Sequence, residues 1–158
     1  MDTLTVRALM SSPVISVAPH TPLPQLKHLL REHNIRRLPV VNGQRLVGII
    51  TLGDVRNAFP SDAPTLSIYE LSYLLSNVTA AEIMRSDVIT IAADASLVEA
   101  AERMLRAKVS GLPVLDGEQL VGVLTESDIF RAVIAGQLPL TPARAASPHP
   151  RTSARLVV

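Results

Sequence analysis

Two four-residue stretches carry the residues best suited to chemistry, Thr51-Leu52-Gly53-Asp54 and Thr125-Glu126-Ser127-Asp128. Each follows an apolar run that reads as a strand, and each opens a helical pattern. A helix start offers free N–H groups and a partial positive charge, which suit a phosphate. A carboxylate three residues in can accept both hydroxyls of a ribose. The same spacing is also a capping box, with threonine as the N-cap and the acid answering back. The two roles can coexist. Arg36 and Arg37, just before a Leu-Pro strand, bring planar bidentate donors that would suit a phosphate or form a solvated surface pair. Their counterparts in the second half are Ser110 and Gly111.

Other chemistries lack their residues. Gly43-x4-Gly48 and Gly117-x4-Gly122 have P-loop glycine spacing, but Ile49-Ile50 and Val123-Leu124 stand where Lys and Ser or Thr belong. Buried strands are the better reading. His20, His28, His33 and His149 show no metal-ligand spacing. There is no Cys, hence no thiolate nucleophile, thiolate zinc site or disulfide, and there is no Gly-x-Ser-x-Gly. Neither an enzyme nor a metal site is expected.

The elements that must position these residues come from an internal repeat. Residues 7–59 laid over 81–133 without a gap, at an offset of 74, match at 16 of 53 positions. Each copy starts with a β-branched stretch, Val14–Val17 or Val88–Ile91. A helical pattern follows, with Leu23, Leu26, Leu29 and Leu30 in the first copy and Leu97, Ala100, Ala101, Met104 and Leu105 in the second. Glu99/Arg103 and Glu102/Arg106 stand at i,i+4 on its other side. Two strands come next, Leu38–Val41 with Leu46–Thr51 and Leu112–Leu115 with Leu120–Thr125. Asn42-Gly43 and Asp116-Gly117 join them as hairpin turns. A last helix begins near Leu52 and near Glu126. The unit is β-α-β-β-α, and its strands are apolar enough to need cover on both faces. Met10 and Met84 read as core plugs.

The chain divides into repeat 1 (7–59), a linker with a short helix (60–80), repeat 2 (81–134) and a tail (136–158) expected to be disordered for its proline content and lack of acids. The chain's 158 residues, 47% hydrophobic and 18% charged, can build a compact core. A net charge of +1 gives no whole-chain case for nucleic acid. No apolar run spans a bilayer and no signal peptide is visible, so the expected setting is cytoplasmic.

The paired patterns N-I-R-R-L-P-V-V-N-G-x-x-L-V-G-I-I-T-x-x-D and V-S-G-L-P-V-L-D-G-x-x-L-V-G-V-L-T-x-x-D resemble the CBS domain, and two in tandem resemble a Bateman module. The resemblance implies an α/β (α+β) fold: two repeats packed as an intramolecular pseudo-twofold pair, free-standing here. It implies two clefts that take AMP, ADP, ATP or another adenosyl compound, with no required cofactor. The implied ligand-binding set is Arg36, Arg37, Pro39, Thr51 and Asp54 from the first copy, and Ser110, Gly111, Pro113, Thr125, Ser127 and Asp128 from the second. Asp54 and Asp128 would hold ribose, and Arg36 or Arg37 would meet phosphate in the cleft of Asp54. The functional expectation is a nucleotide-sensing regulatory module that acts on an unknown partner protein and forms a homodimer. The alternatives are a structural dimerisation module with empty clefts, or a transcription-associated regulator. The tail's Arg144, Arg151 and Arg155, without an aromatic residue, make nucleic acid the weaker of these.

Overall fold

A computed structural model describes residues 4–59 and 66–138. The chain runs through α1 (Val6–Leu9), α2 (Leu23–Glu32), β1 (Arg37–Asn42), β2 (Arg45–Thr51), α3 (Leu52–Ala58) and α4 (Ile68–Asn77). It continues through α5 (Ala80–Ile83), β3 (Ile91–Ala92), α6 (Leu97–Ala107), β4 (Gly111–Asp116), β5 (Gln119–Thr125) and α7 (Glu126–Ile134). The five strands form one mixed sheet in the order β1-β2-β5-β4-β3, with β3 parallel to β4 and the other pairs antiparallel. At its centre Arg45 pairs with Gln119. These are the same position in the two copies, so a pseudo-twofold axis passes between them.

Local sequence explains the elements. Pro24 presets the first turn of α2, and Leu23, Leu26 and Leu30 bury one face at spacings of three and four. Ser96 caps α6 by accepting from the Glu99 N–H at 3.1 Å, and Leu97, Ala100 and Met104 are its buried face. Of the two expected i,i+4 pairs, Glu99–Arg103 closes at 2.9 Å; among the described residues Glu102 and Arg106 make no ion pair. Both hairpins turn on a glycine at positive φ, Gly43 at +65° and Gly117 at +62°. Asn42 and Asp116 close the preceding strands instead of entering the left-handed region. The β-branched stretches give less strand than expected. The first contributes a single parallel bridge, Val17 to Val40, and the second only Ile91–Ala92.

Two cores result, one on each side of the axis. Leu23, Leu26, Leu38, Val40, Ile50 and Val55 anchor the first, and Ile91, Leu97, Met104, Leu112, Val114 and Leu124 the second. Their opening turns are exchanged. Val6 of α1 is fully buried in the second core, and the Val6 and Arg7 N–H groups donate to Ala95 and Ala93 carbonyls, both at 2.9 Å. Ala80 of α5 is buried in the first core; Ala80 and Ala81 donate to Thr21 and Pro19 carbonyls at 2.8 and 2.9 Å. Met84 and Met10 then close over glycine. A Cβ on Gly48 would stand 2.5 Å from Met84 Sδ, and one on Gly122 would collide with Met10.

Between the repeats, α4 begins with a Ser67–Glu70 capping box and buries Leu75, while Ile68, Tyr69 and Tyr73 face outward. After α7 the chain turns at Gly136 (φ +71°). Gln137 N–H donates to Ala132 O and Gly136 N–H to Val133 O, the pairing of a Schellman cap. Leu138 packs on the second core. The remainder of the segment expected to be a disordered tail, from residue 139, lies outside the described residues, as do 60–65.

Candidate functional site

Strand-to-helix junctions hold the two acids. In the first, Asp54 Oδ2 accepts from the Thr51 N–H and hydroxyl, both at 2.8 Å, and the Asp54 N–H returns a bond to Thr51 Oγ1 at 3.2 Å. In the second, Asp128 Oδ2 accepts from the Thr125 N–H and hydroxyl at the same 2.8 Å, with a return bond of 3.4 Å. Both junctions are complete capping boxes. Each leaves Oδ1 for another partner. Arg85 Nη2 takes it at Asp54, at 3.3 Å, and Arg131 Nη1 takes it at Asp128, at 3.1 Å.

Around Asp128 lies a cleft of about 460 Å³, within the range of small-molecule sites. The second repeat supplies Ser110, Val123, Thr125, Glu126, Ser127, Asp128 and Arg131; the first supplies Ser11, Pro13–Ile15 and Asn34–Arg37. Arg36 and Arg37 therefore line the cleft of Asp128, not that of Asp54, which corrects the expectation from sequence. The reason is symmetry. Arg37 and Gly111 are counterparts, and they face one another across the pseudo-twofold axis, so a long side chain at this position reaches the opposite repeat. Arg37 Nη2 donates to Ser110 Oγ at 2.5 Å, and its guanidinium lies where a Cβ on Gly111 would be. The Arg36 backbone stays with its own repeat, its carbonyl accepting from Leu52 N–H at 2.8 Å.

Other expected site residues are spread more widely. Thr51 and Asp54 are together but do not line this cleft. Pro39 and Pro113 are buried within β1 and β4, paired with Ile49 and Val123, and do not reach it. Gly111 is covered by Arg37. Sequence reasoning missed Glu126, Arg131 and the Pro13–Ile15 stretch as cleft residues. Arg131, three residues after Asp128 on the same helix, was visible as an i,i+3 partner.

The electrostatics differ between the junctions. Burial opposes ionisation of Asp54, but the Thr51 amide and hydroxyl and the Arg85 guanidinium outweigh it and hold the carboxyl below the usual aspartate range. At Arg37, burial and the neighbouring Arg36 charge lower the pKa, against the raising influence of Glu126 and Asp128. The cleft thus combines a helix start and a tightly held carboxylate from one repeat with two cationic side chains from the other. That arrangement can bind a polyol and an anion together. Among the described residues no His, Cys, Asp and Glu group could hold a metal, and no helix is long and apolar enough to cross a membrane.

Comparison with known proteins agrees with the architecture. The CBS domain family matches the chain twice, at residues 6–61 and 80–135. A CBS domain-containing protein of Dictyostelium discoideum is 36% identical over 141 residues, covering 87% of this chain and 96% of that one. The chain spans a much smaller part of other relatives. The inosine-5′-monophosphate dehydrogenase of Korarchaeum cryptofilum is 36% identical over 118 residues, which are 74% of this chain and 22% of that enzyme. Among solved structures, a CBS domain pair in complex with 5′-methylthioadenosine and S-adenosyl-L-methionine superposes with a TM-score of 0.69 at 30% identity, covering 87% of this chain and all of that one. By its twofold repeat and these matches, the chain belongs to the CBS domain family and carries two copies in tandem.

Proposed function

We propose that the chain is a regulatory sensor module that binds an adenine nucleotide or another adenosyl compound in the Asp128 cleft and passes its occupancy to a partner protein. The observation that carries this reading is the composition of the cleft: arginines of one repeat face the helix-start carboxylate of the other. The adenosyl ligands of the similar CBS pair support the choice of ligand class. Asp128 would accept from the ribose hydroxyls, with Thr125 holding the carboxylate and Ser127 adding a hydroxyl. Arg36 and Arg37 would meet phosphate. Because both repeats line the cleft, a ligand that prefers one relative placement of the repeats shifts the population toward it. No catalytic step is part of this reading, and a cytoplasmic setting suits it. Thermal melts with AMP, ADP, ATP, 5′-methylthioadenosine and S-adenosyl-L-methionine test it. A rise with at least one is expected; a flat screen would leave a structural dimerisation role in its place.

The module is further proposed to work as a homodimer. Val98 and Leu105 on α6 and Phe130 and Ile134 on α7 are exposed apolar residues, 61–86% accessible. Their counterparts in the first repeat, where described, are Pro24, Arg31 and Arg56. The expected contact is made by these helices of the second repeat, with the outward-facing Ile68, Tyr69 and Tyr73 of α4 as a further apolar surface. Light scattering should return twice the chain mass of 17.0 kDa, and a monomer at micromolar concentration would remove this part.

A further inference from the structure

If the Asp128 cleft takes adenosyl compounds, its charges narrow which ones. Three arginines, Arg36, Arg37 and Arg131, line it against two acids, Glu126 and Asp128. Both oxygens of Asp128 are engaged, Oδ2 by Thr125 and Oδ1 by Arg131 at 3.1 Å. A ribose hydroxyl reaches Oδ1 only by sharing it with Arg131 or displacing it. Arg131 is free to move, since its side chain is 76% exposed and this is its one ion pair among the described residues. Arg36 and Arg37 make no ion pair among the described residues, and Arg37 is held by the neutral hydroxyl of Ser110. The Asp54 junction lacks this arrangement. Asn57 stands where Arg131 does, and Arg85 reaches Asp54 from the segment after α5.

We propose that Arg131 is an exchangeable partner that makes the cleft selective for adenosyl ligands bearing a 5′-phosphate over uncharged or cationic ones. A phosphate draws Arg131 off Asp128 and engages Arg36 and Arg37, and the released Oδ1 accepts from ribose. A ligand without the phosphate must share or displace the Arg131–Asp128 bond and gives the arginine nothing in return. This inference deepens the adenosyl-sensor reading and rests on it.

AMP and 5′-methylthioadenosine share adenine and ribose and differ at the 5′ substituent, so calorimetric titration with each at pH 7.5, where the phosphate is mostly dianionic, is the test. The wild-type chain should bind AMP at least about tenfold more tightly, as charge-assisted bonds to arginine imply. In Arg131→Ala, AMP should weaken while 5′-methylthioadenosine holds or gains, so that the two affinities converge. Arg131→Lys keeps the charge and should keep most of the preference. Arg131 supports no core packing, and melts of each variant without ligand verify the fold. Equal wild-type affinities would overturn the proposal and leave the adenosyl reading standing. A preference unchanged in Arg131→Ala would remove the role of Arg131. Failure of both compounds to bind would overturn the adenosyl reading, and the inference with it.

Discussion

At Asp54 and at Asp128 the same capping box closes with the same 2.8 Å bonds to Oδ2, yet what surrounds each carboxylate differs. Opposite Asp128 stand Arg36 and Arg37; the residues at those positions in the second repeat are Ser110 and Gly111. Ser127 offers a hydroxyl where Gly53 offers none. Oδ1 of Asp128 belongs to an arginine of its own helix, whereas Oδ1 of Asp54 belongs to Arg85, in a segment whose backbone is bonded to Ile49. The repeat thus preserves the part that starts a helix and varies the part that would meet a ligand. A twofold signature in sequence is therefore evidence for two caps before it is evidence for two equivalent sites.

The comparison can be stressed through the methionine plugs. Gly122→Ala should be the most disruptive of the single changes here. The new methyl meets Met10 and also the Ser11 backbone carbonyl, at 3.1 Å, which cannot swing aside. At Gly48 all three nearest atoms belong to the Met84 side chain. A loss of about 1–3 kcal/mol for Gly122→Ala and a smaller one for Gly48→Ala is expected from urea unfolding. Equal losses would mean that the two exchanged segments are held alike.

Removing the caps should erase the difference between the junctions. Thr51→Ala and Thr125→Ala each lose one box of the same geometry, so each should cost about 0.5–2 kcal/mol, measured by the same unfolding curves. A large gap between them would show that the surroundings, not the caps, set local stability.

Acid titration probes the Asp54 junction. The folded pKa of Asp54 is depressed, so it contributes stability that is full above the ordinary aspartate value of about 3.9. That contribution is lost as pH falls through the lower folded value. The stability gap between wild type and Asp54→Asn should accordingly be constant near neutrality and shrink in acid below about pH 4. A gap that does not change with pH would contradict the pairing with Thr51 and Arg85.

The smallest effect concerns the helix ends that precede β1 and β4. Asn34 and Lys108 are counterparts, and both take the left-handed conformation, at φ 50° and 56°. Asn adopts it at a lower cost than Lys. Lys108→Asn should stabilise the fold by a few tenths of a kcal/mol, up to about 1 kcal/mol, and a destabilised variant would show that the lysine side chain has a partner here.

Much of this was legible in the residues. Strands expected at Leu38–Val41 and Leu46–Thr51 extend over Arg37–Asn42 and Arg45–Thr51, and the last helices begin at Leu52 and Glu126 as the Thr-x-x-Asp spacing implied. Those features depend on short-range patterns: apolar runs, a turn glycine, a cap. The exchange of opening turns was not legible. Val6 and Ala80 occupy the same place in the repeat, and either could have packed against its own copy or the other. Arg37 was misplaced for a related reason. Arg37 stands 17 residues before Asp54 and 91 before Asp128, yet its place beside the axis carries its long side chain to the junction farther away in sequence. The early parts of the β-branched stretches have the composition of a strand without forming one. Val14 and Ile15 instead line the cleft, and pairing is left to Val17.

The most direct test of the central claim is a pair of thermal melts with AMP. The claim is that ligand sits with Asp128, Arg36 and Arg37. At about 100 times its dissociation constant the nucleotide should stabilise the wild-type chain by roughly 2.7 kcal/mol, a rise of about 5–11 °C for a chain of this length. Asn still caps a helix but cannot offer a charged carboxylate to two hydroxyls. Asp128→Asn should therefore stay within about 1 kcal/mol of the wild type without ligand and lose most of the rise, while Asp54→Asn keeps it. A full rise in Asp128→Asn, or its loss in Asp54→Asn alone, would contradict the assignment.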